Sequence, residues 1–144
     1  MSLDDLYQEI ILDHYKNPRG EGEMEHPDAR AHDNNPSCGD ELELFLKLND
    51  QQIEEVRFKG EGCAISMASA SLMAQKLEGK TVEEALELLH KFKNMITADS
   101  EETEDEHREE LGDLVALKGV IKFPIRVKCA SLPWNTLQRA LEEE

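Results

Sequence analysis

Leucine recurs at every second position over Leu42, Leu44, Leu46 and Leu48, with Glu41, Glu43 and Lys47 between. Such alternation predicts a half-buried strand. Asn49-Asp50-Gln51-Gln52 reads as a turn. Residues 53–59 read as a second strand, with Val56 and Phe58 on one face and Arg57 and Lys59 on the other, completing a hairpin. Elsewhere the apolar spacing is helical. Leu3, Leu6, Ile10, Ile11 and Tyr15 share one face of a first helix, which Ser2 and Asp5 can cap and Asn17-Pro18 ends. Residues 17–40, rich in Gly, Pro, Asp and Asn, predict an extended loop. Gly60-Glu61-Gly62-Cys63 breaks the second strand, and a helix over 64–77 follows, with Gly79 placed to cap it. Thr81-Val82-Glu83-Glu84 is a capping box for a helix that turns Ala85, Leu88, Leu89 and Phe92 inward. A short helix is expected over 111–117, before Gly119. Another starts at Pro124 and continues over 125–132, past Cys129. Pro133 is expected to interrupt it before a last helix over 134–141. The expected fold class is α+β: a small antiparallel β-sheet packed with about five to six helices.

Composition narrows the class. A chain of 144 residues fits one compact domain, 1–144, with a core that needs no disulfides or metal merely to fold. It is 39% hydrophobic and 33% charged, as in soluble globular proteins. No apolar run approaches the ~20 residues of a membrane span. The acidic opening Met1-Ser2-Leu3-Asp4-Asp5 is unlike a signal peptide, so a cytoplasmic location is expected. A net charge of −16 argues against nucleic-acid and anionic-membrane partners and favours a basic protein surface. Solubility accounts for most of that charge. Residues 99–113 hold nine acids and one Arg and are too polar to pack.

The chemistry centres on three cysteines, an odd count that argues against a disulfide framework. Cys38 stands in Asn35-Pro36-Ser37-Cys38-Gly39-Asp40, on a tight loop with a carboxylate two residues on. A thiolate and a carboxylate are a good ligand pair for zinc. Taken alone, this segment is better read as Asp40 opening the strand or capping a backbone N–H. Cys63 stands at a helix start after two glycines, where the helix N-terminus favours the thiolate. The Ser66-Met67-Ala68-Ser69-Ala70-Ser71 segment behind it also reads as a tightly packed core helix. Cys129 follows Arg126-Val127-Lys128, two cations in an acidic chain. They would offset a zinc site built from three thiolates and a carboxylate, although ordinary surface charge is an equal reading for Lys128. Ligands drawn singly from three segments point to a site assembled by the fold, unlike paired CxxC knuckles. His14, in the first helix, reads as a surface or partner-facing residue; Met67, Met73, Met95 and Trp134 read as packing. Phosphate-loop, nucleophile-elbow and HExxH motifs are absent.

Asn-Pro-x-Cys-Gly-Asp, Gly-x-Gly-Cys-Ala-Ile-Ser-x-Ala-Ser and Arg-x-Lys-Cys-Ala with a following Leu-Pro-Trp strongly resemble SufU, the zinc-dependent branch of the IscU/NifU N-terminal family. The opening Leu-Asp-His-Tyr-Lys-Asn-Pro-Arg is similar to the start of that family. The resemblance spans nearly the whole chain, in order. Scaffold members typically carry His before the third cysteine, where this chain has Lys128, and the acidic stretch around 96–120 looks like the insertion of the SufU branch. The resemblance implies zinc held by Cys38, Asp40, Cys63 and Cys129. It implies a SufS-type, PLP-dependent cysteine desulfurase as partner, whose histidine displaces Cys38 from zinc. Cys38 would then accept persulfide sulfur, with Arg126 in support, and pass it toward the SufBCD complex. Such a protein is a sulfurtransferase. The alternative is a scaffold that binds iron or a [2Fe–2S] cluster on the same thiolates, a ligand type that suits both metals.

Overall fold

The structure, a computed structural model, describes residues 3–35, 39–97, 111–122 and 124–142. Its elements in order are α1 (Leu3–Lys16), β1 (Ala29–Asn35), β2 (Asp40–Asn49), β3 (Gln52–Glu61), α2 (Ala64–Leu77), α3 (Val82–Thr97), a 3₁₀ helix (Gly112–Lys122) and α4 (Pro124–Glu142). The three strands form one antiparallel sheet in the order β1-β2-β3. Among the described residues, three strands packed with five helical elements make the α+β architecture that the residue pattern predicts.

The leucine alternation sets the register. Ala31, Leu44 and Phe58 lie side by side across the sheet, as do Ala29, Leu46 and Val56, and all six are buried. Against this apolar face pack α2 and α4; α1 and α3 lie outside them. The opposite face is charged: Glu43 pairs with both Arg30 and Lys59, and Arg57 with Glu78. Phe45 points to that face yet is buried, with the Arg30 guanidinium 5.3 Å from its ring centroid. The capping box forms as expected: the Thr81 N–H donates to Glu84 at 2.9 Å and the Glu84 N–H donates to Thr81 Oγ1 at 3.1 Å. Gly79, at φ +91°, closes α2.

Three expectations need correcting. The stretch 17–40 is not all loop, because Ala29–Asn35 pairs with β2 as an edge strand. Its inward apolar residues are the small Ala29 and Ala31, so it carries little apolar signal of its own; pairing and the cover of α4 create the strand. Arg139 of α4 donates to the His32 carbonyl of that strand at 3.0 Å. Secondly, Pro133 does not interrupt the last helix; α4 runs through it from Pro124 to Glu142.

The third correction concerns His14, which is 3% exposed and faces α2 rather than solvent or a partner. Its Nδ1 lies 2.7 Å from Ser71 Oγ, which also accepts the Arg19 backbone N–H at 2.8 Å. Burial, reinforced by the Arg19 charge and opposed by Asp13 and Asp113, lowers the pKa of this imidazole. A folded pKa below the unfolded value of about 6.5 means that the unfolded chain binds the proton first. The stabilisation from neutral His14 is therefore complete above about pH 6.5 and is lost as pH falls toward the folded pKa. Urea unfolding of metal-free wild type and His14→Gln should show a stability gap that narrows between pH 7.5 and 5; a constant gap would refute this.

Candidate metal centre

Each expected ligand among the described residues owes its position to a local cause. Asp40 opens β2, paired with Asn35 of β1, and is 1% exposed. Cys63 is the N-cap of α2, with extended backbone at φ −71° and ψ 167°. Its side chain makes no capping hydrogen bond, which leaves the sulfur for other work. Capping falls to Asp40, whose Oδ1 accepts the Cys63 N–H at 2.8 Å. Gly62 lets the chain pass this close: a Cβ there would lie 2.6 Å from Asp40 Oδ1. Cys129 sits on α4, 2% exposed.

These elements bring one ligand atom each from Asp40, Cys63 and Cys129 within 4.8 Å of one another. Among the described residues it is the one cluster of three or more His, Cys, Asp or Glu side chains so arranged. Cys63 Sγ lies 3.6 Å from Asp40 Oδ2. In tetrahedral zinc, Zn–S of ~2.3 Å and Zn–O of ~2.0 Å place sulfur and oxygen ~3.5 Å apart, so this pair is spaced for one ion. Two thiols and a carboxylate are soft and hard donors in a combination that fits zinc, and the thiols also fit iron–sulfur chemistry.

Three of the four residues that the sequence analysis expects to hold a metal, Asp40, Cys63 and Cys129, thus lie together. Cys38, the expected fourth ligand and sulfur acceptor, lies outside the described residues, as does nearly all of the acidic run over 99–113. Arg126 and Lys128 are on α4, both exposed, with Arg126 three residues before Cys129. One participant escaped sequence reasoning. Ser66, buried on α2, donates to Asp40 Oδ2, lies 3.8 Å from Cys63 Sγ and reaches the Cys129 carbonyl at 3.1 Å. The available signal was its position, three residues into the helix that Cys63 begins.

The start of the central strand and two helix segments joined at a thiol–carboxylate cluster define a class that comparison with known proteins identifies. The NifU-like N terminal domain profile matches residues 6–130, and the chain belongs to this IscU/NifU-like iron–sulfur assembly family. Within it the similarities favour the SufU branch. The zinc-dependent sulfurtransferase SufU of Bacillus subtilis (strain 168) is 46% identical over 144 residues, covering 99% of this chain and 94% of that protein. The iron-sulfur cluster assembly scaffold protein IscU of Streptococcus pyogenes serotype M1 is 40% identical, covering 97% and 85%. A crystal structure from Fervidobacterium islandicum AW-1, of a candidate iron–sulfur cluster assembly scaffold for the SUF system, superposes with a TM-score of 0.86. It is 36% identical, covering 97% of this chain and 99% of that one.

Proposed function

We propose that this protein is a zinc-dependent sulfurtransferase that accepts persulfide sulfur from a SufS-type cysteine desulfurase for iron–sulfur cluster assembly. The observation that carries this reading is the convergence of Asp40, Cys63 and Cys129. The similarity to B. subtilis SufU over nearly the whole of both chains supports the zinc and sulfur-transfer parts. Lys128, where scaffold members typically carry His, points the same way.

In this reading Asp40, Cys63 and Cys129 hold zinc together with Cys38, and zinc keeps the thiols deprotonated when bound. The Cys38 thiolate attacks the outer sulfur of the desulfurase persulfide. A new S–S bond forms on Cys38, the old one breaks, and the desulfurase cysteine leaves as a thiolate. Sulfur passes on from Cys38 toward the SufBCD complex. Arg126 supports the thiolate or Asp40 by its charge. The setting is cytoplasmic, and the chain works as one domain with the acidic stretch around 96–120 as an insertion. No helix of the described residues is long and apolar enough to cross a membrane.

The test is desulfurase turnover with L-cysteine in the presence of zinc-loaded or metal-free protein, with intact mass reporting added sulfur. Stimulation by the zinc form alone, with one sulfur on Cys38, is the expected result. If the metal-free protein instead takes up iron and sulfide as a coloured cluster, while zinc leaves turnover unchanged, the scaffold reading replaces this one.

A further inference from the structure

We infer that Ser66 is a positioning residue for the metal centre, and that Pro133 gives it that role. The inference rests on metal binding at Asp40, Cys63 and Cys129; it does not require sulfur transfer.

In an α-helix the carbonyl of residue 129 accepts the N–H of residue 133. Here residue 133 is proline, inside α4, and has no N–H to give. Its ring also crowds the carbonyl four residues back, which belongs to the ligand Cys129. With no N–H from residue 133, this buried carbonyl is open to a donor from another element. Ser66 Oγ lies 3.1 Å from it, across the α2–α4 interface. The next carbonyl also meets a serine, although its helical donor residue Trp134 keeps its N–H: Ser69 Oγ donates to the Ala130 carbonyl at 2.7 Å and accepts the Trp134 indole N–H at 3.1 Å. Two serines one turn apart on α2 thus dock two successive carbonyls of α4.

Ser66 differs from Ser69 in what else it touches. The same oxygen donates to Asp40 Oδ2 and lies 3.8 Å from Cys63 Sγ. One fully buried hydroxyl therefore meets all three ligand residues, at a carboxylate, a sulfur and a main-chain carbonyl. It carries a single proton, and two oxygen acceptors compete for it, Asp40 Oδ2 and Cys129 O. The hydroxyl orients the carboxylate from β2 and sets how closely the Cys129 segment approaches it. Losing such an outer partner typically lowers metal affinity roughly 10–100-fold.

The experiment compares full-length wild type, Ser66→Ala, Pro133→Ala and the double variant. Zinc affinity is measured by competition with a chromophoric chelator. Cobalt(II) absorption reports ligand geometry, and circular dichroism follows unfolding of the metal-free forms. Ser66→Ala is expected to bind zinc roughly 10–100-fold more weakly, with an altered cobalt spectrum. Pro133→Ala restores an N–H to the Cys129 carbonyl, so the loss on removing Ser66 should be smaller in that background. Unchanged affinity and an unchanged cobalt spectrum in Ser66→Ala overturn the inference, even if the metal-free form is less stable. Equal losses in both backgrounds overturn the part given to Pro133. Should Ser66→Ala not fold, Pro133→Ala decides by itself: a cobalt spectrum identical to wild type overturns the proposal. Wild type that binds neither zinc nor cobalt brings down the metal reading itself, which no other outcome does.

Discussion

Cys129→Ala is expected to weaken zinc binding by at least about a hundredfold and to leave the metal-free fold nearly as stable as wild type. Structural zinc contributes about 10–16 kcal/mol in small sites at neutral pH; spread over four ligands that is about 3 kcal/mol each. At 1.4 kcal/mol per tenfold, losing one ligand costs about two orders of magnitude. The buried residue itself changes little: one sulfur goes, and the alanine keeps α4 helical. The cost to the metal-free protein should be about 1 kcal/mol. Chelator competition and chemical unfolding measure the two effects separately. A variant that binds zinc as tightly as wild type would remove Cys129 from the ligand set.

Trp134→Ala should do the reverse, lowering stability by about 3–5 kcal/mol with the ligand set intact. The indole is fully buried and stacks on Phe92 of α3, ring centroids 4.6 Å apart and planes at 18°. Its N–H is held by Ser69 of α2, so one side chain joins three helices. Truncation leaves a cavity and deprives Ser69 Oγ of its donor. The chain has one Trp, so unfolding must be followed by circular dichroism. A loss below about 1 kcal/mol would mean that the α3–α4 contact lies outside the cooperative core.

What could be read from the sequence follows from what each residue senses locally. The leucine alternation, the Thr81–Glu84 box and the helix after Cys63 are short-range signals, and they appear where the pattern puts them. The edge strand Ala29–Asn35 was hidden because its inward apolar residues are alanines whose burial depends on α4, about a hundred residues later. Pro133 misled for a related reason. Proline weakens a helix from within, but packing of 124–142 on the sheet and on α2 outweighs that local cost. His14 looked like a surface residue because Ser71, its partner, is 57 positions away. At the site, cysteine and aspartate announced themselves by chemistry and by resemblance. Ser66 did not, since a serine in a run of small residues acquires meaning only when Asp40 and Cys129 arrive from elsewhere.

α4 has a consequence for the order in which the protein comes into being. Synthesis delivers α4 after the sheet and after α2, which it covers. Until it emerges, Ser66 and Ser69 have no carbonyls to dock on, and the part of the sheet's apolar face that α4 covers lies open. A nascent chain can carry Cys63 and Asp40 long before Cys129 exists. Any metal captured at that stage would meet Asp40 and Cys63 without Cys129, so a site that includes Cys129 is complete only once α4 has been made.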